Sequence, residues 1–558
     1  MSSFSCYTRV VFFLSVCSAS LNHIACADSF LQRERISEEE IQNSLLAEIE
    51  GTFGAGAASS RLKRMEAMIA PMYSALPKNE HGYLGHATVR YALHRLFVKR
   101  HGWVIKGLHN AGGHRNATST AGLLKEQVPA YVQDLFEERL GGRGFGLHEL
   151  GVVAATIEHL VHNEVVKHLN DAFKVHGYLA TSIMNTSEAD DVLDTYMMGY
   201  ILGENLGNMT FAESLELKAE MPETFASWSA TKEFVRTLRQ NITLFEANAE
   251  QQNSGTYDFA LVARVAERVG EQFGSFQDHE CRHIKASLRS LEDRESGRVR
   301  LSEFWKPAPD GSWHFEESFN YLRQLGVLDE SDSENLHVFI ANYIISRSNC
   351  IASSSFYSVC CKDECEGLLG HLEEQITTPE ATPDEIVRLV STLPSSSVVA
   401  PRSLSTALKS RLDEISAGHG GKVPLHGRLF AQWMHHAYPQ ECPYPHLADT
   451  TNPLTPDEWF DLTGENEMVS EEERYAFLDK AAAMPSAPLE LHELPWSPEE
   501  ELLCPSISMP LAKDVPRLSS LRNASLFAVL IAVVYGLLQN SPSANRGHGC
   551  IGVEKVMV

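Results

Sequence analysis

The sequence predicts a mainly α-helical protein, with a helical N-terminal lobe followed by a disulfide-stapled, mostly helical C-terminal lobe. Apolar residues recur at helical spacing along most of the chain, whereas alternating, strand-like runs are rare and short. No cysteine occurs between residues 28 and 280, and seven occur between residues 281 and 504. Because the cysteines fall in one half, we expect disulfides to stabilise that half alone.

Composition and charge narrow the class of protein. Hydrophobic residues make up 43% of the 558 residues and charged residues 22%, as in an ordinary globular protein, which argues against wholesale disorder. The chain has 47 Lys and Arg against 73 Asp and Glu, a net charge of −26. A field of this sign repels phosphate backbones, so we expect no nucleic-acid partner.

Residues 1–27 have the parts of a secretory signal peptide. Arg9 precedes the apolar run Val10–Val16, and the small-residue triplet Ala25–Ala27 follows. The apolar run is too short to span a bilayer, which disfavours a retained anchor, and it lacks the periodicity of a buried helix. We therefore expect cleavage after Ala27 and entry into the secretory pathway.

Residues 28–60 are predicted to form an N-terminal helix and a linker. Ser37–Glu40 is a capping box that opens the helix, and the glycine-rich stretch Gly51–Ser60 ends it. The basic quartet Arg61–Arg64 that follows resembles a proprotein-convertase site. Apolar residues around the quartet have helical spacing, however, which favours the alternative that these basic residues are the solvated face of a helix.

Residues 61–280 are predicted to form the helical lobe. One apolar stripe is formed by Val89, Leu93, Leu96 and Phe97. Further helices are predicted at residues 128–140, 148–169, 190–205, 232–245 and 259–273. We expect these helices to pack around one core.

Residues 281–330 contain a helix, a loop and the start of a second helix. Ile284, Leu288 and Leu291 share one helical face, and twelve residues, Glu292–Glu303, follow them. Among the twelve, the fifth, sixth and last are Ser296, Gly297 and Glu303. This segment resembles the EF-hand family, over residues 284–325 only. The resemblance implies a helix–loop–helix with a calcium-binding loop formed by Glu292, Ser296, Gly297 and Glu303.

The loop departs from the EF-hand pattern at three positions. Glu292 stands at the first position, where Asp is usual, and the third and ninth positions carry Arg294 and Arg300. Arginine cannot ligate a cation and adds positive charge. These departures favour a helix–loop–helix that holds no metal over a calcium-responsive module.

A second candidate metal site lies on the predicted helix 148–169. His159 and His162 are three residues apart and face one way, with Glu158 beside them. The two histidines, together with Glu158 or a carboxylate from another helix, would suit iron or zinc. The alternative is that they are ordinary surface or core residues, and the sequence favours that alternative.

A third candidate is the stretch His435–His446, in which prolines follow a short helix. Zinc bound by His436, Cys442 and His446 is one interpretation, although the spacing matches no standard zinc site. The favoured alternative is that Cys442 is half of a disulfide. The sequence thus leaves calcium and a transition metal open as cofactors and favours neither.

Residues 331–505 are predicted to form the cysteine-containing lobe. Because Cys360 and Cys361 are adjacent, we expect them to bond to different partners. Thr-Pro-Asp-Glu occurs at residues 382–385 and 455–458, where each copy predicts a helix start. The number of candidate cysteines is odd, which leaves one free or paired between chains: Cys281, Cys350, Cys360, Cys361, Cys365, Cys442 and Cys504.

The C-terminal region is predicted to anchor the chain. A juxtamembrane linker, residues 506–522, leads to a transmembrane helix at residues 523–539 and a cytosolic tail at residues 540–558. The uncharged run Ala524–Leu538 is about 22 Å long as a helix, shorter than a ~30 Å hydrocarbon core, so a buried helix is the alternative. Sequons that an ectodomain would expose are Asn116, Asn185, Asn208 and Asn241.

These observations predict a single-pass membrane glycoprotein of the secretory pathway, with the N-terminus luminal or extracellular; the alternative is a secreted protein. Its partners would be the membrane, through the C-terminal helix, and a protein bound by the ectodomain. We expect a binding or structural role. The alternatives are a metal-dependent enzyme with a histidine-based site and a calcium-responsive module. The sequence does not indicate a reaction.

Overall fold

The computed structural model describes residues 57–106, 108, 144–245, 247, 255–307, 315–351, 354, 356–448, 450–483 and 496–503. These residues belong to one compact unit. None of the helices in these ranges has the length and apolarity that a membrane span requires. Several predictions lie outside them: the signal peptide, the transmembrane helix and tail, the helix at 128–140, Asn116 and Cys504.

The described chain is mainly helical, which confirms the predicted fold class. The elements up to Ser290 are α1 (Ala57–Ala75), α2 (His86–His101), β1 (Trp103–Ile105), α3 (Leu147–Val175), α4 (Thr186–Leu202), α5 (Phe211–Thr224), α6 (Trp228–Phe245) and α7 (Phe259–Ser290). Helix α1 begins inside the stretch predicted to be a linker, because Ala57 and Ala58 have high helix propensity.

Short strands alternate with shorter helices after α7. The elements up to Gln375 are β2 (Arg298–Arg300), α8 (Leu301–Phe304), α9 (Phe319–Leu325), β3 (Leu328–Asp329), β4 (His337–Phe339), α10 (Ile340–Ile344), β5 (Tyr357–Val359) and α11 (Glu364–Gln375). The remaining elements are β6 (Glu380–Ala381), α12 (Pro383–Thr392), α13 (Thr406–Gly418), β7 (Val423–Pro424), α14 (Arg428–Ala437), α15 (Pro456–Thr463) and α16 (Glu471–Ala483).

Side-chain caps fix where several helices begin. Both Thr-Pro-Asp-Glu segments start a helix as predicted, with Thr382 capping α12 and Thr455 capping α15, each ahead of a proline in the first turn. Asn185 and Thr210 cap α4 and α5 through capping boxes with a glutamate in the first turn.

The largest apolar core lies among α1, α2, α3, α4, α6 and α7. Strand β5, from the cysteine-containing half, contributes Tyr357 and Val359 to this core, and Phe356 just before it also belongs to the core. It pairs antiparallel with β1, in the register Trp103 to Val359. The core of the helical lobe is therefore completed by a strand that lies more than two hundred positions after its partner β1 in the sequence.

A second core lies under the segment that resembles an EF-hand. The chain turns after α7, forms β2 and enters the short helix α8, and the stretch α9–β3–β4–α10 repeats this arrangement. Strands β2 and β4 pair antiparallel and align Val299 with Val338. Both valines are fully buried beside Leu288, so the two loops share one apolar core.

The described cysteines all form disulfides, in the pairs Cys281–Cys361, Cys350–Cys360 and Cys365–Cys442. The adjacent Cys360 and Cys361 have different partners, as predicted. The pairs at Cys281 and Cys442 join residues 80 and 77 positions apart, so they close long loops that the unfolded chain would otherwise leave open.

Helix α11 is the element on which these links converge. Cys365 in its first turn is bonded to Cys442, and Cys361 just before it is bonded to α7. Its side chains also reach the N-terminal helices. The buried guanidinium of Arg95 on α2 lies 2.5 Å from Glu366 and 2.5 Å from Glu373, and Glu373 also lies 2.9 Å from His426.

Candidate functional site

Helix α3 carries the residues predicted to bind iron or zinc, and His159 lies apart from the other two. Glu158 is buried, with its Oε1 3.2 Å from Arg100 Nη2 and 3.4 Å from His101 Nε2. His162, one turn further, places Nε2 3.7 Å from Glu271 Oε1. His159 lies on a neighbouring face, with Nε2 3.3 Å from Asn163 Nδ2.

Glu158 and His162 thus belong to an ionisable cluster between α2, α3 and α7. His101 is buried. Its Nδ1–H donates to the backbone carbonyl oxygen of Glu271 at 3.1 Å, and its ring stacks on Trp103 with 3.9 Å between ring centroids. The sequence gives no signal that His101 and Glu271 join α3, because they come from two other helices. The described residues include no group of three or more His, Cys, Asp or Glu side chains arranged to hold a metal ion.

Within the described residues, Glu158 is already paired with a cationic side chain. Arg100 already supplies a positive charge to Glu158, which is the role that a cation would have there. The metal assignment for His159, His162 and Glu158 stays a prediction.

A second buried acid lies on the opposite side of α3. Glu164 is surrounded by Tyr196 of α4 and Tyr357 of β5, and burial raises its pKa to about 7 despite a hydrogen bond from Ser354. Burial also raises the pKa of both tyrosines. Within the described chain, Glu164 Oε2 and the Tyr196 hydroxyl are buried with no hydrogen-bond partner. The sequence pattern does not single out Glu164.

Replacement of Glu164 should therefore change how stability depends on pH. The pKa of Glu164 lies above its ordinary value of 4.5, so its favourable contribution is complete below pH 4.5 and is lost as pH rises through 7. Glu164→Gln, which stays neutral, should be more stable than the parent at pH 8 by about 2–3 kcal/mol and should lose that advantage at pH 5. Urea unfolding at both pH values measures this difference.

Glu216→Gln on α5 is the matched control, because Glu216 is exposed. It should change the unfolding free energy by no more than about 0.5 kcal/mol at either pH. An advantage of Glu164→Gln that is equal at pH 5 and pH 8 would contradict a raised pKa.

The predicted calcium loop is closed by the protein's own donors. Glu292 Oε1 accepts the backbone N–H of Gly297 at 2.6 Å, and its Oε2 accepts Gln440 Nε2 at 2.5 Å. Glu303 is partly exposed and pairs with Lys306 at 3.1 Å. Ser296 donates its backbone N–H to the carbonyl of Asp293. Both oxygens at the first ligand position are therefore already engaged.

Gly297 also fixes the loop against the C-terminal half. Its φ of +73° is left-handed, and a Cβ there would lie 2.4 Å from the carbonyl oxygen of Pro439. Glycine is thus required both by the backbone and by close packing. The loop is docked on the segment that contains Gln440, and that contact occupies the side on which Glu292 presents its oxygens.

We predict that Gln440, and not calcium, stabilises this loop. Gln440→Ala should lower the free energy of unfolding by about 1.5–3 kcal/mol, because it removes a hydrogen bond to a carboxylate. Millimolar CaCl2 in place of EGTA should leave the Tm of both proteins unchanged within about 1 °C. Differential scanning calorimetry checks both statements, with Gln375→Ala at the end of α11 as the glutamine control. A rise of several degrees with calcium in the parent protein would contradict the prediction.

The proposed zinc residues His436, Cys442 and His446 are separated by other bonds. Cys442 is in a disulfide with Cys365, so its sulfur is not a thiolate and the zinc interpretation is wrong for this residue. His446 Nε2 lies 2.6 Å from the Gly326 carbonyl oxygen, to which it donates. His436 packs beside Trp496 with ring centroids 6.1 Å apart. The disulfide alternative is confirmed.

Three of the predicted glycosylation sites are exposed: Asn185, Asn208 and Asn241. Asn185 has a second role, since its side-chain oxygen accepts the backbone N–H of Glu188 and caps α4. Asn241 lies on the exposed face of α6.

No protein family, curated protein or solved structure matches this chain.

Proposed function

We propose that the chain is a single-pass membrane glycoprotein of the secretory pathway, whose helical, disulfide-stapled region has a binding or structural role outside the cytosol. The observation that carries the proposal is that each described cysteine belongs to a disulfide. Disulfides form and persist in oxidising compartments and are rare in the cytosol. The signal-like N-terminus and the exposed sequons support the same compartment.

In this proposal the segment at residues 284–325 is a structural helix–loop–helix. Its loop packs against the segment around Gln440. There the N–H groups of Gly297 and Gln440 occupy the Glu292 oxygens that would otherwise ligate a cation. The anchor is the apolar run near the C-terminus, which would leave the described unit on the luminal or extracellular side.

A metal-dependent enzyme is the second candidate, and the cluster of His101, Glu158, His162 and Glu271 is the observation in its favour. Buried ionisable groups in contact are found at active sites, although structural ion pairs have the same appearance. Metal analysis of the purified protein separates the two candidates. A stoichiometric transition metal that His162→Ala removes would favour the enzyme.

We predict that the full chain, expressed in a secretory host, is glycosylated at its exposed sequons. Ser187→Ala, Asn208→Gln and Asn241→Gln should each remove one endoglycosidase-sensitive step from the electrophoretic mass. Ser187→Ala is preferred for the first sequon because it leaves Asn185 in place as the cap of α4. Gel mobility before and after endoglycosidase is the measurement.

Asn163→Gln is the control, since Asn163 is exposed on α3 but is not in a sequon. It should leave the mobility unchanged. Free thiols at the six described cysteines, together with no endoglycosidase-sensitive shift in any protein, would contradict the proposed compartment.

A further inference from the structure

Residues Trp496–Leu503, here called the strap, lie across α14 and α13 without forming a helix. The strap pairs with the start of α14 through the backbone: Arg428 N–H donates to the Glu501 carbonyl at 3.0 Å, and Gly427 and Leu502 form an antiparallel bridge. This is the geometry by which an extended peptide adds to an exposed edge.

Side chains of the strap complete the first turn of α14. Gly427, the residue at the N-cap, has no side chain to cap the helix. Glu500 provides the cap instead, because its Oε1 accepts the backbone N–H of Leu429 at 3.1 Å. A carboxylate at this position satisfies a free N–H and meets the positive end of the helix dipole. His419, at the C-terminus of α13, lies 3.6 Å from Glu500 Oε2.

The surface beneath the strap is built around buried polar groups. Arg428 is 7% exposed, and its Nη1 donates to the carbonyl oxygens of Ser497 and Glu499 at 3.4 and 2.8 Å. Arg411 on α13 lies over the ring of Trp496, with Cζ 4.9 Å from the centroid. Four positions therefore separate the aromatic contact, Trp496, from the capping carboxylate, Glu500.

Gly427 makes room for this peptide. A Cβ at this position would lie 3.0 Å from Glu500 Oε1 and 3.0 Å from Leu502 Cδ2. The backbone of Gly427, with φ of −92° and ψ of 155°, is one that any residue adopts, so conformation alone does not require glycine there. The close approach of the strap is what a side chain would obstruct.

Polar contacts hold the strap on α14, and its partly buried Trp496 and Leu503 pack at the edges of the two neighbouring apolar cores. Each of its eight residues keeps part of its surface exposed, whereas Trp433 and Phe430 of α14 are fully buried in the core. Segments with few buried apolar contacts open at lower free energy than the core beneath them. We therefore expect the strap to open at a lower free energy than the packed helices α13 and α14.

We propose that the α13–α14 surface is a recognition site for extended acidic peptides with an aromatic residue four positions before the capping glutamate, and that the strap is its resident, exchangeable occupant. This inference goes beyond the proposed compartment and anchor and does not depend on them. It gives the binding role a ligand class: a peptide segment that supplies a carboxylate to Leu429 N–H and two carbonyl oxygens to Arg428.

Fluorescence anisotropy with a labelled peptide, Trp-Ser-Pro-Glu-Glu-Glu-Leu-Leu, tests the proposal on the full chain. Glu500→Lys in the chain reverses the charge that caps α14 and should release the strap. We expect the peptide to bind this variant about tenfold or more tighter than it binds the parent chain, in which the strap competes intramolecularly. A peptide with glutamine in place of the capping glutamate should bind about tenfold more weakly.

Gly427→Val, added to Glu500→Lys, is the matched blocking variant. The backbone at position 427 accommodates valine, and the valine side chain occupies the space of the capping carboxylate. Peptide binding should therefore be lost, while the helical circular dichroism signal is kept. Peptide that fails to bind the folded Glu500→Lys chain would overturn the proposal. So would binding that is equal for the two peptides, or that Gly427→Val leaves unchanged.

A second design avoids any change to the strap. A protease site inserted within residues 484–495 of the full chain allows the connection between α16 and the strap to be cut in the folded protein. Excess labelled peptide should then displace the C-terminal fragment, as seen by gel filtration. A fragment that stays bound, with no peptide incorporated, would show that the strap is a permanent part of the fold and would overturn exchange.

Discussion

The buried guanidinium of Arg95, together with the covalent links around α11, is the constraint that the rest of the structure depends on. Arg95 comes from the N-terminal helices, and its two carboxylate partners, Glu366 and Glu373, come from α11. The charges compensate one another in a setting where each alone would be costly, and the paired Arg95 guanidinium holds the pKa of Glu373 down to about 2 despite burial. Disulfides at Cys361 and Cys365 hold the same helix to α7 and to Cys442. Helix α11 therefore orients the helical lobe, the helix–loop–helix and the C-terminal helices with one set of contacts.

The sites described above follow from that orientation. The loop at Gly297 is closed by Gln440, two residues before Cys442, so the disulfide of α11 also positions the donor that the loop uses. Strand β5 reaches the N-terminal core just before Cys360, and it places Tyr357 beside Glu164. The α13–α14 surface is also fixed by α11. His426, the residue before Gly427, is hydrogen-bonded to Glu373 of α11. A binding surface that is mostly polar gains specificity from such fixed supports.

Local patterns in the sequence were sufficient for the helices and their starts, since the caps at Thr382 and Thr455 and the apolar stripe at Leu93 are short-range signals. Cysteine spacing was sufficient to place the disulfides in one half and to separate the partners of Cys360 and Cys361, but not to pair them. The ionic contacts could not be predicted without the three-dimensional fold. Arg95 and Glu373 lie 278 residues apart, and Glu500 caps a helix that begins 72 residues earlier; no periodicity links such positions. The metal hypotheses came from histidines that share a helix or a loop, whereas His101 and Cys365 come from other elements.

Chemical denaturation of Arg95→Met is the most direct measurement of the part that α11 plays. The substitution nearly keeps the volume of the side chain and leaves the buried Glu373 and the partly buried Glu366 without their cation, so we predict a loss of about 3–5 kcal/mol in the free energy of unfolding. Arg282→Met, at an exposed pair with Asp278 on α7, should cost no more than about 0.5 kcal/mol. A loss for Arg95→Met as small as that of Arg282→Met would contradict this central role, because the two halves would then be held together by contacts other than the Arg95 ion pairs.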